Sequence, residues 1–446
     1  MRMRELSCLA GALVAVVVTA VPAAGGTALE TLGKMLFFDN SLSANGTQSC
    51  ASCHLPEIGF TGPDSSVNGS GAVYQGALPQ HFGNRKPPTA AYAGESPRLY
   101  RDDSGNWFGG MFWDGRATGA LLGDPLAEQA QGPFLNPLEQ ALSNYRVLCA
   151  KVKKSDYAGL FERAWGAGSL DCAKDAEGVY EKIGKAVAAY ERSTEVNPFS
   201  SRFDQFWDEA LKAGKDVATI KCGTGMGGGG TGGATGCPGG GIDPGRWTEF
   251  RGLGLSDPEL QGLATFNDPS RANCSSCHVL KAAPGKYPLF TDFGYDNLGI
   301  PGNPANPFHD MPSRWNPAGA EWVDYGLGGY LKTAGHAPES YEPQLGKFKV
   351  PTLRNVDLRP FEGVVKAYGH NGYFKSLEEV VLFYHWRAMM DAGCGGGMGG
   401  GCEAMASMFP PPEVDRNRAA LDMFPRPQVG NIVLFLKTLS DGEYRR

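Results

Sequence analysis

The sequence predicts a mainly α protein built as two domains with long loops. Three observations carry that expectation. Its 446 residues exceed the ~250–300 at which a single core stops growing. Apolar residues recur at helical spacing, while alternating strand patterns are short and few. Finally, 63 glycines and 31 prolines break the chain so often that long connections must join the helices.

In chain order, residues 1–23 read as a secretory signal peptide. Arg2 and Arg4 give the positive start, and Leu9 to Val18 an apolar stretch too short to span a bilayer. Val21-Pro22-Ala23 offers small residues for cleavage. No later run approaches the ~20 apolar residues of a spanning helix, so a periplasmic or otherwise exported, soluble protein is expected. Residues 27–220 form the expected first domain, in which Val179, Ile183, Val187 and Tyr190 share one helical face. Residues 221–245 are Gly-rich without apolar periodicity and read as a linker or insert. Residues 246–446 form the second domain. There Ser256-Asp257-Pro258-Glu259 is a capping box opening a helix with Leu260, Leu263 and Phe266. Ser376 with Glu379 opens another over Val380 to Met390. A second Gly-rich tract, Cys394 to Cys402, interrupts this half.

Composition removes several function classes. Hydrophobic residues at 42% and charged residues at 20% exclude a disordered chain. Glycine sits in tracts without a triplet period, which excludes collagen. A net charge of −6 and the lack of any Lys/Arg block argue against nucleic acid as a partner.

The eleven cysteines carry the chemistry. Cys8 belongs to the signal. Cys50-Ala51-Ser52-Cys53-His54 and Cys274-Ser275-Ser276-Cys277-His278 are two c-type haem attachment signatures. Two thiols one turn apart add to the vinyl groups, and the adjacent His lies under the ring as iron ligand. A split zinc site using both pairs would leave both histidines unexplained, and a thioredoxin-like pair would need a βαβ context. The expectation is two covalent haem c groups in two cytochrome c-like domains. The other six cysteines are an even number in an exported chain, which favours disulfides. Local pairing gives Cys149–Cys172, Cys222–Cys237 and Cys394–Cys402, although the two Gly-tract pairs could instead cross-link to each other.

Longer runs now add to these motifs. Gly33-Lys34-Met35-Leu36-Phe37-Phe38-Asp39, with Leu42-Ser43 and Asn45-Gly46-Thr47, precedes the first haem motif. Phe112-Trp113-Asp114-Gly115-Arg116-Ala117 and Phe348-Lys349-Val350-Pro351-Thr352-Leu353-Arg354-Asn355-Val356 follow. Together they resemble the bacterial di-haem cytochrome c peroxidase family, which includes MauG-like enzymes. The likeness covers most of the chain after residue 23 outside the Gly tracts.

The resemblance implies a peroxidatic N-terminal haem and a C-terminal haem that receives electrons, with Trp113 conducting between them. It equates Gln129 and Glu139 with the family's distal glutamine and glutamate, and His81 with its displaceable distal ligand in a mobile Gly/Ser-rich loop, Ser65 to Gly83. Chemistry favours Glu139 independently. Cleaving a peroxide O–O bond needs a group that takes a proton from one oxygen and returns it to the other. A carboxyl raised in pKa by desolvation can do both.

The sequence also departs from the family pattern. Six extra residues separate Trp113 from Gln129. Tyr92 stands where the family commonly has an Asn of an interdomain calcium site, although main-chain carbonyls near Lys349 and Pro351 still offer Ca2+ its preferred oxygen donors. Gly369 stands where the axial Met of the second haem is expected. That leaves Tyr368 as a phenolate ligand, His370 as a second imidazole, or no protein ligand. The resemblance gives His370 a hydrogen-bonding role, and Met311 is the alternative sulfur.

Three functions follow as expectations. The first is a peroxidase reducing hydrogen peroxide with electrons from a small c-type cytochrome or cupredoxin. The second is a MauG-like enzyme oxidising residues of a protein partner. The third is an electron carrier with both haems closed, against which Glu139 and Gln129 argue. A homodimer is compatible with all three.

Overall fold

The computed structural model describes residues 26–221, 246–391 and 409–444. The signal segment, nearly all of the first Gly-rich stretch, and the pairs Cys222–Cys237 and Cys394–Cys402 lie outside the described residues.

Helices begin where the sequence supplies caps. Thr27 and Glu30 bond reciprocally ahead of the helix Ala28–Phe38, and Ser256 and Glu259 do so ahead of Asp257–Asn267. Ser376 Oγ accepts from the Glu379 N–H at 3.1 Å, so the next helix starts at Leu377, ahead of its first strongly apolar pair, and runs to Asp391. The helix Ala176–Glu191 buries Val179, Ile183, Val187 and Tyr190 as their spacing predicts. It packs on Ala28–Phe38 and on Pro125–Leu135. The first contact is backbone to backbone: a Cβ at Gly33 would lie 1.9 Å from the Ala186 carbonyl oxygen, so only glycine fits.

Two large buried clusters organise the molecule. One gathers Leu36, Phe37, Phe134, Phe161, Ile183 and Tyr190; the other gathers Phe206, Trp247, Leu263, Phe266, Phe290 and Phe435. The helix Arg202–Lys212 joins the second cluster through Phe203, Phe206 and Trp207, although its sequence position falls within 27–220. Arg354, fully buried, fixes it there by pairing with Asp204 at 2.8 Å and lying against the rings of Tyr92, Phe199, Phe203 and Phe290. The described strands are two-residue pieces: Tyr100–Arg101 with Trp107–Phe108, and Tyr295–Asp296 with Phe348–Lys349, both antiparallel. The fold is mainly α, with loops spanning the rest. Cys149 and Cys172 form a disulfide with a Cα–Cα distance of 5.7 Å, anchored in the first cluster.

Candidate functional site

The two Cys-x-x-Cys-His turns are built to one plan. Each is a 3-10 turn, Cys50–Ser52 and Cys274–Ser276, in which the His N–H donates to the first Cys carbonyl. His54 Nδ1 bonds the Phe60 carbonyl at 3.1 Å, and His278 Nδ1 bonds that of Phe290 at 2.9 Å. That leaves Nε2 of each ring for a metal. Both phenylalanines hold positive φ, 56° and 54°, a left-handed bend that turns their carbonyls toward the rings. Thr61 Oγ1 donates to Pro87 O and Thr291 Oγ1 to Val350 O. Thr89 Oγ1 donates to Gly59 O and Thr352 Oγ1 to Leu289 O. The Phe-Thr and Pro-Thr pieces of each half are therefore stitched identically around its histidine.

Each turn opens into its own cavity, so the four thiols do not converge and a shared zinc site is excluded. All four cysteines are free of disulfides. Burial pushes the Cys53, Cys274 and Cys277 thiols up to about 12, and Cys50 higher still. They are protonated at neutral pH, unlike metal thiolates or a reactive redox pair. Burial also pulls His54 down to about 4 and lowers His278, so both imidazoles are neutral and available as ligands. Large, mostly apolar walls, two protonated thiols and a neutral oriented imidazole in each cavity fit a haem.

The first cavity is lined by Gln129, Glu139, Arg116 and Glu191 besides its haem motif. The helix Pro125–Leu135 delivers Gln129. Glu128 beside it accepts from the N–H groups of Gly119, Leu121 and Leu122, so the loop holding the extra residues closes onto that helix start. Glu139 Oε1 accepts from Asn136 Nδ2 at 2.6 Å. Desolvation raises its carboxyl, opposed by the Arg116 guanidinium and the Asn136 bond. Arg116 is oriented by Asp114 and lies over the Phe112 ring at 3.8 Å. Sequence reasoning missed Glu191, although it ends the very helix whose apolar face was recognised. It missed Arg116 too, despite quoting it within a motif.

His81 is placed elsewhere. It lines neither cavity; its Nδ1 bonds the Pro137 carbonyl at 2.8 Å and its ring edge meets Trp315. The loop expected to carry it contains a short helix, Ser65–Gly69, and Asn68 Nδ2 ties it to Val365 O at 2.9 Å.

The second cavity is lined by Tyr368, Gly369 and His370. Gly369 (φ 82°) and Gly372 (φ 66°) turn the chain inward, and Tyr368 pairs with Phe374 across the turn. The Tyr368 hydroxyl lies 3.3 Å from both Arg359 and the Val356 carbonyl. Burial drives its pKa up; the Arg359 charge opposes that. His370 is held differently: Nε2 pairs with Glu413 at 3.2 Å, and the ring stacks on Phe348. That is the hydrogen-bonding place the family resemblance gave it. Met311 is buried but lines neither cavity. Tyr92, which stands where the family commonly has a calcium-site Asn, donates its hydroxyl to Asp441 at 2.7 Å.

Trp113 lines both cavities, together with Lys86, Pro88 and Thr89. Its indole N–H donates to the Lys86 carbonyl at 2.9 Å, and its own carbonyl accepts from the Lys349 N–H at 2.9 Å. Two cavities, each with a matched Cys-x-x-Cys-His turn and meeting at one tryptophan, fit a di-haem redox protein.

The chain belongs to the di-haem cytochrome c peroxidase family, whose model matches residues 27–212. It is 31% identical to the methylamine utilization protein MauG of Paracoccus denitrificans, over 99% of this chain and 97% of that one. It is 26% identical to the cytochrome c551 peroxidase of Nitrosomonas europaea, over 79% and 71%. Among solved structures it resembles the diheme peroxidase BthA from Burkholderia thailandensis, with a TM-score of 0.64 and 28% identity over 93% of this chain and 86% of that one. The chain is thus an oxidoreductase of a two-haem family.

Proposed function

We propose that this protein is an exported di-haem peroxidase: one hydrogen peroxide, two electrons and two protons give two waters, with the electrons drawn from a small c-type cytochrome or cupredoxin. The observation that carries the reading is Glu139, a half-buried carboxyl with a raised pKa in the same cavity as Gln129, Arg116 and the first Cys-x-x-Cys-His turn. An electron carrier has no use for such a group.

In this reading the four motif cysteines hold two haems covalently, and His54 and His278 are their proximal ligands. Bound haem supplies the redox chemistry that splits the peroxide bond. Glu139 accepts the proton of one peroxide oxygen and returns it to the other, Gln129 orients the substrate, and Arg116 keeps the carboxylate form accessible. With His81 held by Pro137 and Trp315, no His81 contact would stand between peroxide and the first haem site. Tyr368, whose segment turns into the second cavity, would help hold the second haem, while His370 is engaged by Glu413 and stacked on Phe348. Trp113 carries electrons between the two domains. Steady-state peroxide consumption with reduced cytochrome c tests the reading; two haems per chain without turnover would overturn it.

A second reading, oxidation of residues on a protein partner, is favoured by the nearly full-length likeness to MauG and by Gly369 in place of a methionine. Tyr368→Phe and His370→Ala, compared by electronic spectrum, test the ligand assignment shared by both readings. A sulfur-to-iron band in the near infrared of the oxidised protein would defeat it.

A further inference from the structure

Two buried lysines, Lys86 and Lys366, and the half-buried Lys349 lie along the cavities, and none of their side chains is used above. Lys86 is 8% exposed and lines both cavities. Its Nζ donates to Thr61 Oγ1 and Pro87 O, both at 2.9 Å. Lys349 lines only the second cavity; its Nζ donates to Gly109 O at 2.9 Å and lies near the rings of Phe293 and Tyr295. Lys366 donates to the carbonyls of Ile58, Asn355 and Leu358. All three Nζ groups take carbonyl or hydroxyl oxygens as hydrogen-bond acceptors. Taking ammonium groups out of water is costly: burial pulls Lys86 down to about 8 and Lys349 to about 7, the latter opposed by the Asp292 charge, so their placement needs a reason.

Lys86 and Lys349 are also matched. Each directly precedes the stitched Pro-Pro-Thr or Val-Pro-Thr piece of its own half. Together their backbones hold Trp113, one accepting its indole N–H and the other donating to its carbonyl. The Lys86 charge reaches across the seam: it depresses the basicity of His54 on one side and of Lys366 on the other.

We propose that Lys86 and Lys349 are positioning residues whose amino groups place positive charge between the two haem sites, Lys86 acting on both and Lys349 on the second alone. A buried cation near a haem favours the reduced, less positive iron and offers a counter-ion to the carboxylates every haem carries. The pair also takes the place of a divalent metal. Calcium does not fit this seam: the Lys86 and Lys349 amino groups already use the Pro87 and Gly109 carbonyls, and Tyr92, where an Asn donor would stand, turns its hydroxyl to Asp441. Among the described residues no cluster of three His, Cys, Asp or Glu side chains offers an alternative site.

This inference rests on the two-haem reading, and its test keeps the two apart. Pyridine haemochrome analysis of the holoprotein first counts haems; fewer than two sinks the two-haem reading, not the role of the lysines. Spectroelectrochemical titration then compares variants. Lys86→Met should lower both midpoint potentials, Lys349→Met only that of the second haem, and Lys86→Arg should restore both. If Lys86→Met does not accumulate, Lys86→Gln gives the same reading. Two unshifted midpoints in a fully loaded Lys86→Met or Lys86→Gln protein overturn the proposal. So does a shift in midpoint or melting temperature when calcium chloride is added to chelator-treated wild-type protein.

Discussion

The two cavities begin from the same five-residue turn and the same stitching around it, and they diverge away from the histidines. Around His54 and His278 the threonine stitches, the phenylalanine bends and the carbonyl partners coincide almost bond for bond. Away from the histidines, the first cavity holds two carboxyls, the buried Glu191 and the half-buried Glu139, with Arg116 beside the latter. The second holds a phenol and an imidazole on an inward-turned chain. Holding a haem is thus a property of the repeated module, and the difference in chemistry comes from segments attached to it. Glu139, raised in pKa beside Gln129, suits proton transfer to a substrate, whereas Glu413 in the second cavity is already engaged by His370.

The sharpest test of that division removes the proximal ligands one at a time. His54→Gly should abolish peroxide turnover entirely. His278→Gly should leave the reaction of pre-reduced enzyme with one equivalent of peroxide while cutting steady-state turnover. Stopped-flow single turnovers read the difference, and equal loss in both variants would erase the functional asymmetry.

Next in size is Glu139→Gln. Haem content should be unchanged, while peroxide bond cleavage slows by about 10²–10⁴-fold, the usual worth of general acid–base help. Near-normal turnover would remove Glu139 from the chemistry and leave Glu191 as the carboxyl to test.

A third comparison concerns the packing behind each cavity. The Cys149–Cys172 bridge closes a 23-residue separation within the first cluster only. Replacing both cysteines with serine should cost about 3 kcal/mol by the chain-entropy account. The loss should appear in urea denaturation and leave the second haem's spectrum intact. An unchanged midpoint would mean the bridge adds nothing to this core.

How much of this the sequence disclosed depends on how local each feature is. The Cys-x-x-Cys-His turns, the capping box at Ser256 and the face of Val179 to Tyr190 are short-range patterns, and each is found where its residues predict; at Ser376 only the hydroxyl half of the expected box forms, because the Glu379 carboxylate takes the Lys375 N–H instead. Trp113, Gln129 and Glu139 were legible through runs of family-like sequence. Three things were not. His81 sits in a suitable stretch, but its partner, the Pro137 carbonyl, is 56 residues away. The helix Arg202–Lys212 belongs with the second core because of Arg354, 150 residues from Asp204. Lys86 and Lys349 look like surface charges until the fold closes two cavities around them. Long-range burial decides all three, and no local pattern encodes it.

The smallest expected effect separates the cavities by pH. Glu191 is 4% exposed, and its Oε2 finds no hydrogen-bond partner among the described residues. Burial pushes its carboxyl up to about 8; the Arg192 charge opposes the rise and Asp124 adds to it. In the unfolded chain the same group titrates near the ordinary glutamate value of about 4.3. Between those values the folded protein keeps a proton that the unfolded chain has lost. Stability is therefore fully present below the ordinary value and declines as pH rises toward and through about 8, by about 1.4 kcal/mol per unit of displacement at the limit. Glu191→Gln cannot ionise and should escape that decline. Its melting temperature should match wild type near pH 4 and exceed it progressively up to pH 8. Glu139→Gln should bend the curve in the same direction, because its carboxyl is raised for the same reason. Melting curves of the three proteins from pH 4 to 9 read this directly. Parallel wild-type and Glu191→Gln profiles would mean that water or the bound haem satisfies the carboxylate. The first cavity would then hold one titrating carboxyl, Glu139, and the proton chemistry would rest on it alone.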